Sequence, residues 1–227
     1  MHVYFVRHAE SHYNALDRHQ VASVGLSELG IKQAECVAQR LSTKRIDVIM
    51  SSPYERARQT AEFISAAVQK PVELIPLLTE MKKPSVIEGR HHDDPEAVRI
   101  RSTILDNWQD SAWRYADEET FFDARDRAVQ CIKFITCLDK SNVLLVTHGG
   151  IMGMIIAVML HGAELGVRDF LKLQAFLHAD NTGITLCEYT NDKTWTLITW
   201  NDCAHLECRT HLSPPGRDYE CMGLREA

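Results

Sequence analysis

Short apolar runs alternate along the chain with longer stretches in which apolar residues recur at helical spacing. The runs at 2–6, 46–50 and 143–147 have the length and the composition of buried strands. Strands that are separated by helix-length segments are typical of a mainly parallel sheet with helices on both faces. The pattern therefore predicts an α/β fold.

Amphipathic periodicity predicts the helices of this fold. They span approximately 27–41, 53–68, 95–115 and 120–138. Ser27 is the expected N-cap of the first helix, and Pro53 is expected within the first turn of the second. In the third helix, Val98, Leu105 and Trp108 are predicted to share one face.

The segments outside this alternation predict a buried helix, a loop and a hairpin. The apolar run 151–160 is too short for the roughly 20 residues of a membrane span, so we expect a buried helix that stops at Gly162. Residues 81–92 have no regular period and are expected to form a loop at the entrance to a site. The runs 183–189 and 194–200 predict a C-terminal β-hairpin at an edge of the sheet, and this edge is a candidate homodimer surface.

Size and composition bound the architecture and the partners. With 227 residues, 45% of them hydrophobic, the chain is expected to form one domain over 1–205 and an irregular tail over 206–227. No signal peptide is expected, and seven cysteines without regular spacing argue against a disulfide framework and for a cytoplasmic protein. The net charge of −6, with no basic stripe, argues against nucleic acid as a partner, and no membrane partner is expected.

Two of the predicted strands end in a histidine. Arg7 and His8 follow the first strand, and His148 and Gly149 follow the strand at 143–147. An arginine beside a neutral histidine supplies a fork of donors for phosphate oxygens and a nucleophile. Because the carboxyl ends of parallel strands meet at one crevice, we expect both histidines to face a single phosphoryl group.

Five stretches resemble the motifs of the histidine phosphatase superfamily, whose members include cofactor-dependent phosphoglycerate mutases and small broad-range phosphatases. They are RHAESHYN at 7–14, LSELGIKQA at 26–34, SSPYERARQTA at 51–61, ETFFDARDRA at 119–128 and VTHGGIM at 146–152. They occur in the family's order, so the chain is identified as a member. The resemblance implies a phosphoglycerate mutase-like fold, hydrolysis of a small phosphorylated substrate through a phosphohistidine intermediate, and no cofactor.

The resemblance also implies roles for the matching residues. His8 matches the nucleophile, and Arg7 and Arg56 match the arginines that clamp the phosphoryl oxygens. His148 matches the histidine that donates a hydrogen bond to the transferring group. Gly149 begins a helix whose N-terminus favours an anion, so it is expected to contribute to phosphate binding.

Two polar residues near the nucleophile have two interpretations. Ser11 and Asn14 lie at the spacing that the family uses for further phosphate contacts, but either side chain could instead cap a turn. For Arg58, two positions after the motif arginine, an ion pair with Glu55 or Glu62 is the better interpretation.

Glu80 matches the family's general acid, which protonates the leaving group and later accepts a proton from water. The sequence after it departs from the family pattern, because the spacing to the next glutamate is one residue longer and a glycine is missing. Glu88 is therefore a rival for this role, although we favour Glu80. Ala9 replaces the usual glycine and would be strained only if the backbone there had a positive φ.

Three functions are compatible with these residues. The first is a phosphatase, the second is a phosphoglycerate mutase, and the third is a regulator that binds phosphorylated ligands without turnover. The segment between Glu80 and His148 is shorter than the corresponding segment of the mutases, which favours hydrolysis.

Three further groups of residues bear on the ligand or on a metal. A basic group predicts a preference for a second negative charge on the substrate: Lys82, Lys83, Arg90, His91 and His92. An aromatic group could stack on a leaving group, although core packing is the better interpretation: Trp108, Trp113 and Tyr115. A third group could bind zinc, but its spacing is tighter than that of zinc fingers and no metal is expected: Cys203, His205, Cys208 and His211.

Overall fold

A six-stranded sheet forms the centre of the computed structural model, which describes residues 1–206. The strands are β1 His2–Arg7, β2 Val48–Ser51, β3 Val72–Leu74, β4 Asn142–Thr147, β5 Ile184–Tyr189 and β6 Trp195–Asp202. Their order is β3-β2-β4-β1-β5-β6. The first four strands in this order run parallel, whereas β5 is antiparallel to both β1 and β6. The prediction of a mainly parallel sheet with a C-terminal hairpin at its edge is confirmed.

The helices of the described part of the chain cover both faces of the sheet. They are α1 His12–Ala15, α2 Glu28–Leu41, α3 Glu55–Val68, α4 Pro95–Asp106, α5 Phe121–Thr136, α6 Gly149–His161 and α7 Val167–Phe176. Short 3₁₀ turns lie at Pro76–Leu78, Ser85–Ile87, Gly162–Glu164 and Ala204–Leu206. Within residues 1–206, none of the helices combines the length and the apolar character that a bilayer crossing requires.

Side chains along the strands point alternately to the two faces of the sheet, and this divides the hydrophobic core into two halves. Val143 and Leu145 of β4 pack in the cluster that includes α5 and α6, whereas Leu144 and Val146 pack in the cluster that includes α2 and α3. Successive side chains of a strand point to opposite faces, so a strand that is buried on both faces reads as one continuous apolar run. This explains why β4 is easy to identify in the sequence.

Side-chain caps set the starts of several helices. Ser27 accepts the Gly30 backbone N–H at 2.9 Å and begins α2, as predicted. Thr120 and Asp123 form a capping box at the start of α5. The expected start of α3 at Pro53 is wrong by two residues, because Tyr54 is the N-cap and has an extended backbone conformation.

The helix predicted over 95–115 is wrong in its extent, and its face with Val98 is not the buried one. α4 ends at Asp106, where polar residues with weak helix propensity follow. Val98 is 41% exposed, whereas Ala97 and Ile100 are fully buried. Trp108 lies beyond the end of the helix, so the expected sharing of one helical face with Val98 and Leu105 is wrong.

The register of the central strands places the two motif histidines. Arg7 of β1 pairs with Thr147 of β4 in the parallel ladder, and the His8 backbone N–H donates to the Thr147 carbonyl at 2.9 Å. His8 and His148 therefore leave the sheet side by side at its carboxyl edge. Such an edge is where ligands bind in open α/β sheets.

Candidate active site

The imidazole rings of His8 and His148 lie next to each other, with their centroids 5.0 Å apart. Both side chains are almost completely buried, as are Arg7 and Arg56. Arg7 and His8 come from the end of β1, Arg56 from the first turn of α3, and His148 from the residue that caps α6. The structure thus brings together the four residues that the sequence analysis placed around a phosphoryl group.

Two hydrogen bonds define the protonation of His8. Its Nδ1 lies 2.7 Å from the carbonyl oxygen of Ala9, which can only accept, so Nδ1 carries the proton. Its Nε2 accepts a hydrogen bond from Arg56 Nε at 3.1 Å, so this nitrogen has a lone pair. Burial, followed by the positive charges of Arg56 and Arg7, holds the pKa of His8 well below its ordinary value of 6.5. His8 is therefore a neutral imidazole with its basic nitrogen at Nε2.

The two arginines are fixed by backbone carbonyls. Arg56 is 1% exposed and donates through Nη1 to the Val21 carbonyl at 2.9 Å. Arg7 donates through Nη1 to the Ala179 carbonyl at 2.6 Å. These carbonyl oxygens orient the two guanidinium groups. Two preoriented cations beside two neutral histidines form a site for an anion.

His148 lies deep in the same site and is also neutral. Its Nε2 is 2.8 Å from the Ser52 hydroxyl oxygen, and its ring makes an edge contact with Tyr54. Burial is the main cause that lowers the pKa of His148 well below 6.5, with the charge of Arg56 as the next. Neutrality limits this ring to one N–H donor.

The carboxylate of Glu80 lies at the N-terminus of α6, the helix that begins directly after His148. Its carboxylate accepts three backbone N–H groups: from Met81 at 2.8 Å, Gly150 at 3.1 Å and Ile151 at 2.8 Å. Gly150 leaves room for this carboxylate, because an added Cβ would lie 2.7 Å from Glu80 Oε1. A carboxylate at this position also interacts favourably with the helix dipole.

The rival glutamate lies elsewhere. Glu88 is exposed in the loop after the 3₁₀ turn Ser85–Ile87 and has no hydrogen bond to the α6 N-terminus. The geometry accordingly favours Glu80 as the carboxyl group of this site.

Ser11 and Asn14 form a capping box at the start of the four-residue helix α1. The buried Ser11 hydroxyl contacts the Asn14 side-chain oxygen at 3.0 Å and the Gln20 side-chain oxygen at 2.9 Å. Capping, the alternative considered for both residues, therefore occupies their side chains in this structure, and their contact with phosphate stays a prediction. Ala9 is absent from the residues with positive φ, so it carries no strain of that kind.

Arg58 forms ion pairs with Glu55 and Glu62 on the surface of α3, as the sequence analysis predicted. Arg56 lies two residues earlier on the same helix and is buried in the site. The helix α3 therefore directs one arginine to the site and the other to solvent.

Gln20 was missed by the sequence analysis. Its side-chain Nε2 is buried and has no hydrogen-bond partner among residues 1–206, next to the segment whose Val21 carbonyl holds Arg56. A buried donor without a partner is costly unless a ligand satisfies it. The residue lies beyond the quoted motifs, and no local pattern in the sequence marks it.

The residues considered for the substrate are largely engaged with other groups. Lys82 pairs with Asp117 at 3.0 Å, and His92 contacts Asp17 at 2.9 Å. The preference for a second negative charge stays a prediction. Core packing of Trp108 is confirmed, since its ring packs against Phe121 and Phe170.

The suggested zinc ligands are only partly within the described residues. His205 Nε2 lies 2.9 Å from the Thr182 hydroxyl oxygen, and Cys203 Sγ lies 3.6 Å from Asn201 Oδ1. Cys208 and His211 lie outside residues 1–206, as does almost all of the predicted tail.

The chain is similar to known proteins over most of its length. Residues 3–203 match the model of the histidine phosphatase superfamily (branch 1). A protein of Yersinia pestis named "Probable phosphoglycerate mutase GpmB" is 30% identical over 90% of this chain and 94% of its own length. "Putative phosphoserine phosphatase 2" of Hydrogenobacter thermophilus is 27% identical over 89% of this chain and 96% of its own length. Among solved structures, the alpha-ribazole phosphatase from Shigella flexneri has a TM-score of 0.75 and 25% identity, covering 89% of this chain and 96% of that one.

Proposed function

This chain belongs to the histidine phosphatase superfamily, and we propose that it hydrolyses small phosphomonoesters through a phosphohistidine formed on His8. The observation that carries this proposal is the pair of hydrogen bonds at His8. The Ala9 carbonyl accepts a hydrogen bond from the protonated Nδ1, and Arg56 Nε donates a hydrogen bond to the lone pair of Nε2. A nucleophilic imidazole requires this arrangement, whereas a histidine that only binds phosphate as a cation would need both nitrogens protonated.

In the first step, the Nε2 lone pair of His8 attacks phosphorus while the bond to the leaving oxygen breaks with its electron pair. Arg7 and Arg56 hold the equatorial phosphoryl oxygens and stabilise the charge on them. His148 donates a hydrogen bond to the same group, and the N-terminus of α6 at Gly149 adds a favourable dipole. In the second step, water attacks the phosphohistidine, phosphate leaves, and neutral His8 is restored.

Glu80 supplies the proton that the leaving oxygen needs and accepts one from water in the second step. The three backbone N–H groups around its carboxylate stabilise the anion that remains after the proton has been given. The position of Glu80 at the N-terminus of α6, the helix that begins directly after His148, supports this role.

Replacement of Glu80 tests this role. For Glu80→Gln we expect the first step, measured in a single turnover as release of the leaving group, to slow by about 10²-fold to 10⁴-fold with an alkyl phosphate, whose leaving oxygen needs a proton. The first step should slow much less with p-nitrophenyl phosphate, whose leaving group departs as an anion. The second step is common to both substrates, so loss of the base lowers kcat for both. Glu88→Gln is the matched control and should retain activity with both substrates. Equal slowing of the first step for both substrates in Glu80→Gln, or a loss in Glu88→Gln alone, would contradict the assignment.

The pH dependence follows from the lowered pKa of His8. The ordinary value is 6.5, and burial together with two arginines holds it well below that. The neutral, nucleophilic form of the free enzyme therefore persists below pH 6.5, and kcat/KM should show no decline from protonation of His8 as pH falls through 6.5, but only at clearly lower pH. Measurement of kcat/KM between about pH 4.5 and 8 with p-nitrophenyl phosphate checks this. A half-maximal rate near 6.5 would indicate an unperturbed nucleophile.

A phosphoglycerate mutase is the second candidate, favoured by the 30% identical relative with that name. The two reactions differ in the acceptor of the phosphoryl group, which is water in one case and a sugar acid in the other. Incubation with 3-phosphoglycerate, with and without 2,3-bisphosphoglycerate, distinguishes them. A hydrolase releases inorganic phosphate, also from phosphoserine and p-nitrophenyl phosphate, whereas a mutase forms 2-phosphoglycerate with little release. Tight binding of these ligands without either product would favour the non-catalytic regulator.

A further inference from the structure

We propose that the Ser52 hydroxyl donates a hydrogen bond to Nε2 of His148 and thereby keeps the only N–H of this imidazole on Nδ1, where it can bind the phosphoryl group. Ser52 is in this sense a positioning residue, since it acts through His148 and does not touch the substrate. The proposal deepens the proposed function and rests on it, because it concerns the donor that holds the transferring group.

The position of Ser52 is fixed by the backbone. Ser52 follows β2, is fully buried, and its backbone N–H donates to the Val146 carbonyl of β4 at 3.0 Å. This bond holds Ser52 beside the end of the strand that carries His148. Its Oγ then lies 2.8 Å from His148 Nε2.

The hydrogen bonds of the Ser52 hydroxyl identify the donor. Its oxygen accepts the Tyr54 backbone N–H at 3.2 Å, and His148 Nε2 is its other partner within residues 1–206. If His148 donated through Nε2, the buried hydroxyl proton of Ser52 would have no acceptor there. If Ser52 donates, both its oxygen and its proton are satisfied. An unsatisfied buried polar group is costly, so the second arrangement is favoured.

The remaining nitrogen of His148 is consistent with this arrangement. Nδ1 lies on the other side of the ring, is buried, and has no hydrogen-bond partner among the described residues. With Ser52 as donor, Nδ1 carries a proton and is a donor awaiting an acceptor. The ring adjoins His8, where the phosphoryl oxygens must lie during transfer.

The tautomer matters because His148 is neutral. A histidinium would donate from both nitrogens, but a neutral ring donates from one and presents a lone pair at the other. A lone pair at Nδ1 would face the negatively charged phosphoryl oxygens and repel them. The Ser52 hydroxyl therefore decides whether His148 stabilises the transferring group or opposes it.

The direct test is ¹⁵N NMR of the imidazole of His148 in the unmodified protein, assigned by the loss of its signals in His148→Gln. We expect Nδ1 to show the shift of a protonated nitrogen and Nε2 that of an unprotonated one at pH 7. The opposite assignment overturns the proposal, whether or not the protein hydrolyses any substrate. This readout thus fails separately from the proposed function.

The functional test compares two neighbouring serines. Ser52→Ala should lower kcat by about 10-fold to 100-fold with little change in KM, and should mix the two tautomers in the NMR spectrum. Ser51→Ala is the matched control, because Ser51 is equally buried but its hydroxyl donates to the Ser52 carbonyl at 2.9 Å. In Ser51→Ala, the ¹⁵N signals of the His148 imidazole should be unchanged. Equal effects of both variants on kcat and on the spectrum, or an unchanged spectrum in Ser52→Ala, would contradict the assignment.

Discussion

His8→Ala is expected to lower phosphate release by about four orders of magnitude or more, because no other group in the site can take over a covalent step. The neighbouring side chains cannot replace it. Arg56 is a permanent cation, and we place the His148 proton on Nδ1 with its other nitrogen bound to Ser52. The measurement is phosphate release from p-nitrophenyl phosphate, with the thermal unfolding midpoint recorded for each variant.

His12→Ala is the control for this variant. His12 lies four positions further along, is exposed in α1, and should retain full activity. Folded His8→Ala protein with more than about a hundredth of the original rate would rule out His8 as the obligatory nucleophile.

Arg56→Ala is expected to have the second largest effect, a loss in kcat/KM of about 10³-fold or more. Two functions of this guanidinium are lost together: the clamp on the phosphoryl oxygens and the donor at His8 Nε2. Removal of its charge should also allow the pKa of His8 to rise, because Arg56 is the second largest cause of the depression. The residual activity should therefore decline at a higher pH on the acidic side than that of the unmodified protein.

Arg58→Ala is the matched control on the same helix. Arg58 pairs with Glu55 and Glu62 at the surface, where ion pairs contribute at most about 1 kcal/mol to stability. We expect unchanged kcat/KM and an unchanged pH profile. Similar losses in both arginine variants would mean that Arg56 acts through the stability of α3 and not through the phosphoryl group.

The sequence was most informative where one local rule determines the structure. The continuous apolar run of β4 reflects burial on both faces of the sheet, and Ser27 reflects the need of a helix N-terminus for a side-chain acceptor. The convergence of His8 and His148 follows from the parallel pairing of β1 with β4. The inferences about β4 and Ser27 needed no contacts between residues far apart in sequence, and the inference about the two histidines needed only the pairing of their strands.

Features that depend on tertiary contacts were not predicted. The three residues of β3 are too short and too exposed to show a strand period, and α7 was not recognised as a separate helix. The start of α3 at Glu55 depends on the extended backbone at Tyr54, whose N–H is bound by the hydroxyl of Ser52. A propensity argument from Pro53 alone cannot include that bond.

The same limit applies within the site. Gln20 and Ser52 are ordinary polar residues in the sequence. Only the fold shows that Gln20 Nε2 is buried without a hydrogen-bond partner among residues 1–206 and that Ser52 lies against His148. Glu80 was favoured over Glu88 from the sequence, and the contact of its carboxylate with the N-terminus of α6 adds support that the sequence could not supply. The chemistry of such residues comes from neighbours that are distant in sequence.

The central claim is that the phosphoryl group passes through His8, and trapping the phosphoenzyme tests it most directly. Protein mixed with a ³²P-labelled phosphomonoester is quenched within milliseconds in acid or in alkali, and the labelled peptide is mapped. The account predicts a label that acid removes and alkali preserves, located on Nε2 of His8 and absent from His8→Ala. Turnover without any trapped label, or a label on another residue, would contradict it.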